Sequence, residues 1–276
     1  MVALRFRQPL ILLVVAATTV AFCHAFAVPE GIQAHQSRKT MKDFYNLPTS
    51  PFRFRGGDAT QLEASLDDYS DAARSLFGNV IGPAAMLVGG LVPLGFLAAP
   101  LPGDGVVHKR LRSLYHMLSV FSLANQLTAI VYATVACNKL TETVIAPAAS
   151  VFALLQRDYE LQWLGVNVHF LAGLLGFMSM ICLRAYTLFP KKQKGPATGL
   201  AVSALLGMFS IVNRGVAEGN RAGQVFACSI PSLCTRYILL LVKQIQSTGG
   251  IMAISALALG TISTLFAIKA VWEGAE

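Results

Sequence analysis

SLYHMLSVFSLANQLTAIVYATVACN (residues 113–138) and LQWLGVNVHFLAGLLGFMSMICL (residues 161–183) decide the fold. Neither stretch contains Asp, Glu, Lys or Arg over its 26 and 23 residues. As helices they reach about 39 and 35 Å, enough to cross a hydrocarbon core about 30 Å thick. Three more charge-free windows flank them, at 75–103, 195–213 and 244–268. The reading is an all-α, polytopic transmembrane helix bundle of about five spans, near 78–101, 113–137, 163–186, 196–214 and 248–270. Pro83, Pro93, Pro100 and Pro102 predict a kinked or broken first span. No window shows the alternating ten-residue pattern of a β-barrel strand.

Composition agrees. Of 276 residues, 54% are hydrophobic and 13% charged, and mean hydropathy is +0.57. An ordinary soluble domain carries roughly 25% charged residues. The formal net charge of +8 invites a nucleic-acid reading, but its distribution argues against one. Residues 1–57 hold seven basic and two acidic side chains, a local excess of +5. The remainder carries +3, concentrated in short loops. The partners expected are the lipid bilayer and other membrane protein subunits, with no nucleic acid.

The basic N-terminal segment reads as an address. Arg5 and Arg7 precede an apolar stretch, Leu10–Ala21, too short to span, and Cys23 and Ala25 suit the −3 and −1 positions of a cleavage site. Residues 1–25 are therefore read as a signal peptide. Residues 26–57 hold Arg38, Lys39, Lys42, Arg53 and Arg55 with several Ser and Thr, the composition of a transit peptide. With Ala25-Phe26-Ala27 at the junction, residues 1–57 resemble the bipartite plastid presequence of diatoms and related algae with complex plastids. The resemblance implies a multi-pass protein of a plastid membrane, thylakoid or inner envelope. The alternative is a membrane of the endoplasmic reticulum or secretory pathway. An acidic stretch follows, with a short helix expected over 62–77, and residues 58–276 form the membrane domain.

Two shorter segments lie between the spans. Residues 143–156 are charge-free but carry Pro147, which suits an interfacial or re-entrant helix. Residues 232–246 suit either a helix on the membrane surface or an extension of the fifth span broken near Gly249-Gly250. The dense basic loops, with Lys109, Arg110 and Arg112 and with Lys191, Lys192 and Lys194, share one side. The positive-inside rule assigns that side to the stroma or cytosol.

Polar side chains within spans are functional candidates because hydrocarbon makes them costly. His116, Asn125 and Gln126 lie on the second span, Asn167 and His169 on the third, and Arg214 at the end of the fourth. His116 and His169 are candidate ligands for a chlorophyll magnesium or a haem iron. Asn125, Gln126, Asn167 and Arg214 are candidates for a transport pathway. The competing reading for each is hydrogen bonding between helices. Small residues four apart (Gly78 and Gly82; Ala172 and Gly176; Gly199, Ser203 and Gly207; Ala256, Gly260 and Thr264) mark faces of close helix approach. The five cysteines show no metal-site spacing, and no nucleotide, zinc-protease or serine-hydrolase motif occurs. The function read from this pattern is a structural, assembly or accessory subunit of a membrane complex. Alternatives are a small-solute transporter or channel, and a membrane-embedded cofactor- or pigment-binding protein.

Overall fold

The computed structural model describes residues 67–103, 105–221, 227, 229–248 and 250–273. The signal and transit segments, and residues 62–66 of the expected first helix, lie outside the described residues. In chain order the elements are α1 (Ser70–Val92), a π-helical turn (Pro93–Leu97), α2 (Val106–Glu142), α3 (Val151–Asp158), α4 (Glu160–Leu188), α5 (Lys191–Arg221), α6 (Ile230–Thr248) and α7 (Ile251–Glu273). Among the described residues there is no strand. A single antiparallel bridge joins Asp67 to Ala148.

Four stretches, Ser70–Leu97, Val106–Glu142, Glu160–Leu188 and Lys191–Val216, are long and apolar enough to cross a membrane. They correspond to the first four expected spans. The fifth falls on α7, whose apolar stretch is shorter, Ile254–Lys269. The boundaries differ for identifiable reasons. α1 begins earlier than expected because the Asp68 carboxylate accepts the Ser70 N–H at 2.9 Å and starts the helix there. That bond holds the Asp68 carboxyl below its ordinary pKa. The helix expected over 62–77 is thus the first turns of the span itself. The span stops at Leu97 rather than at 101. Pro93 opens the π-helical turn, Ala98 is extended (φ −70, ψ 147), and Ala99 precedes Pro100, which disfavours helix.

α2 is the central helix and packs on both α1 and α4. Its buried positions, Tyr115, Ser119, Ser122, Gln126, Ala129, Ala133, Ala136 and Leu140, alternate by four and three residues throughout. That is the heptad spacing of a left-handed helix pair. Mostly small side chains on this seam allow close backbone approach. α4 supplies the facing hollows. A Cβ on Gly176 would lie 2.9 Å from the Ser122 Cβ, and one on Gly173 would lie 2.5 Å from the Gln126 Nε2. α1 meets the bundle through Ala73, Phe77, Ala84 and Leu91, and the Phe77 ring lies edge-on to Tyr159 and Trp163.

The turn from α1 to α2 is tied by Arg112, whose Nη2 donates to the carbonyls of Leu101 (2.8 Å) and Gly103 (3.3 Å). Gly103 has φ +112, and a Cβ there would lie 2.4 Å from the His108 ring, so only glycine fits. Of residues 143–156 only the second half is helical: the Ser150 Oγ accepts the Ala153 N–H and starts α3. α6 is a separate helix. Ser229 and Ser232 cap its start reciprocally, and the Asn213 side chain of α5 accepts the Ile230 N–H at 3.1 Å. Leu233, Cys234 and Tyr237 form its buried face, and it packs on α4. Cys228 lies outside the described residues.

Candidate functional site: a polar chain between α2, α4 and α6

The α2–α4 seam carries one continuous chain of polar side chains. Asn125 sits on α2 and donates its Nδ2–H to the Phe121 carbonyl one turn back, at 2.8 Å. Its Oδ1 is thereby the acceptor left to face α4, where the His169 Nδ1 lies at 2.8 Å. Nδ1 must carry the proton, so the neutral imidazole offers its lone pair at Nε2. The Tyr237 hydroxyl, from α6, lies 2.9 Å from Nε2 and donates to it. The Tyr237 oxygen then accepts from the Tyr132 hydroxyl, 3.2 Å away on α2. The Tyr132 ring also stacks on His169, with centroids 5.9 Å apart and planes 18° from parallel.

The donor order has two chemical consequences. First, both nitrogens of His169 are engaged, so ligation of a magnesium or iron would require Tyr237 to leave. Second, the chain ends on an amide and then on a backbone carbonyl, neither of which passes a proton onward. The chain locks three helices together; it does not form a relay with two open ends.

A second set of bonds lies beside it and one turn along the seam. The Gln126 Nε2 donates to the Phe170 carbonyl at 3.1 Å, and the Ser122 hydroxyl donates to the Gly173 carbonyl. Gln126 is fully buried and its Oε1 has no partner. Asn167 bonds within its own helix, donating to the Trp163 carbonyl at 2.7 Å. Glu160, the first residue of α4, pairs with Arg236 of α6.

Asn125, Gln126 and His169 are thus brought to one seam. His116 is not brought to it. It lies nine residues before Asn125, about 14 Å along α2, on the exposed side, its ring edge-on to Tyr115. Arg214 is exposed on α5, beside the Asn213 that caps α6. Arg184, near the end of α4, donates to the Tyr115 hydroxyl at 3.3 Å and lies over that ring. Tyr115 in turn donates to the Leu94 carbonyl in the π-helical turn.

Tyr132, Tyr237 and Ser122 were not candidates from sequence. Tyr132 had a usable signal, since it follows Asn125 by seven residues and shares its helix face. An open groove of about 550 Å³ lies elsewhere, between the start of α1 and the end of α2, lined in part by Asp71, Arg74, Cys137 and Thr141. Among the described residues no group of three or more His, Cys, Asp or Glu could hold a metal ion. No protein-family model, curated protein or solved structure matches the chain.

Proposed function

We propose that this integral membrane protein acts as a structural, assembly or accessory subunit of a membrane complex in a plastid membrane. One observation carries the subunit reading. Glycines on α4 that face α2 are filled to contact, whereas Gly78, Gly82 and Gly89 on α1 and Gly195, Gly199 and Gly207 on α5 meet nothing within 4 Å. The chain builds close helix contact where it needs it and leaves equivalent faces uncovered on two other spans. Close packing of small residues is a main route by which membrane helices associate. The satisfied polar chain supports the same reading, because it spends intramembrane polarity on joining helices. The plastid assignment is supported by the resemblance of residues 1–57 to a bipartite presequence.

Expression of the tagged full-length chain in a complex-plastid alga, followed by membrane fractionation and mild-detergent native electrophoresis, tests both parts. The expected result is cofractionation with plastid membranes in a particle larger than the monomer. Recovery in endoplasmic reticulum membranes would sink the plastid assignment, and a lone monomer would sink the subunit reading.

A further inference from the structure

The antiparallel path of the spans gathers sequence neighbours of one sign, basic, at one end of the bundle. The start of α2, the end of α4 and the start of α5 lie at one end. That end carries Lys109, Arg110, Arg112, Arg184, Lys191 and Lys192, with Lys194 just beyond. Its sole acid in the sequence is Asp104, which lies outside the described residues. At the opposite end the charges are mixed: Asp71 pairs with Arg74, Asp158 with Arg157 and Glu160 with Arg236, and Glu142 lies near Lys139.

Two of the basic groups are built into the fold. Arg112 is held by the Leu101 and Gly103 carbonyls, and its buried Nε–H has no acceptor. Arg184 is held against Tyr115, three residues along α2 from Arg112. The lysines of the first turn of α5 belong to the same end: Lys191 and Lys192 are exposed, and the Lys194 ammonium sits 3.5 Å above the Tyr186 ring. We propose that this end binds the anionic headgroup of a membrane lipid. Arg112 and Arg184 mark the place at the end of the apolar spans, and the lysines supply the field. Charge complementarity selects the occupant. A lipid phosphate or sulfonate is held at this depth by its own acyl chains, and basic side chains between spans suit such headgroups. A soluble anion has no such anchor.

The test uses the purified full chain in detergent micelles doped with phosphatidylglycerol or phosphatidylcholine, with retained lipid counted by native mass spectrometry. Phosphatidylglycerol is expected to be retained and phosphatidylcholine not. The exposed pair Lys191→Gln with Lys192→Gln should weaken retention about thirtyfold, while Lys139→Gln, at the far end of α2, should leave it unchanged. Inorganic phosphate at millimolar concentration should not displace the lipid. Equal retention of the two lipids, retention unaffected by the double variant, or displacement by inorganic phosphate would each overturn the proposal. The last result would assign the site to a soluble anion.

Discussion

Replacing Gly176 by alanine should unfold the bundle at markedly lower denaturant, and replacing it by leucine should abolish a stable fold. The added Cβ would lie 2.9 Å from the Ser122 Cβ and 3.3 Å from the Ser122 Cα. A backbone atom cannot turn away as a long side chain can, so the two helices must separate. Overpacking in a close-packed interior costs about 1–3 kcal/mol for modest insertions. Here separation would also stretch the bonds from Gln126 to Phe170 and from Ser122 to Gly173, so alanine should fall at the upper end of that range. The control is internal. Gly78→Ala on α1 adds the same atom into open space and removes a helix-disfavouring residue. It should leave stability unchanged or slightly higher. Titration with a denaturing detergent, followed by circular dichroism, reads both. Equal behaviour of the two variants would show that α2 and α4 do not meet along this seam.

The second large effect is expected at His169. His169→Ala removes a ring stacked on Tyr132 and leaves Asn125 Oδ1 and the Tyr237 hydroxyl without their partner. A fully buried Phe or Trp ring lost to alanine costs about 3–5 kcal/mol in soluble cores, and the half-buried His169 ring should fall below that range. Hydrogen bonds between membrane helices contribute less, about 0.6 kcal/mol on average, because the unfolded state in the membrane also finds partners. The cavity should therefore dominate. His169→Phe, which keeps the ring and loses both bonds, should cost less than half as much as His169→Ala. Tyr237→Phe should cost about 1 kcal/mol and release the lone pair at Nε2. Because Tyr237 covers Nε2, added haem should show no ligated absorbance band with the parent chain. Haem ligation lost from the parent chain on His169→Phe would instead make His169 a resident ligand and contradict the donor order assigned here.

The membrane helices were legible because hydropathy is a local property. Windows free of charge located the first four spans. Their ends were less legible because they depend on single contacts: the Asp68 carboxylate at the start of α1, and Pro100 beyond its end. The candidate site was legible residue by residue but not as a unit. Asn125 and His169 stand out as polar groups in apolar runs, yet they are 44 positions apart, and Tyr237 is 68 beyond His169. Nothing in one sequence registers one helix against another at that range. Tyr237 lies on α6, whose sequence fitted a surface helix as well as an extended span, so its buried role depended on knowing where that helix docks. The α2 seam was hidden differently. Ser119, Ser122, Ala129, Ala133 and Ala136 are too small to raise hydropathy, but their three-and-four spacing makes them the closest contact line of the fold.

The central claim is a bundle whose spans cross a membrane, with the basic start of α5 on one side and the residues after α2 on the other. Thiol labelling tests it most directly. Lys192→Cys, in the first turn of α5, and Val144→Cys, beyond α2, place an exposed thiol at each end. In sealed vesicles of one orientation, a membrane-impermeant maleimide added outside should label one of the two and reach the other only after the vesicles are opened. Labelling of both from the same side would contradict the account.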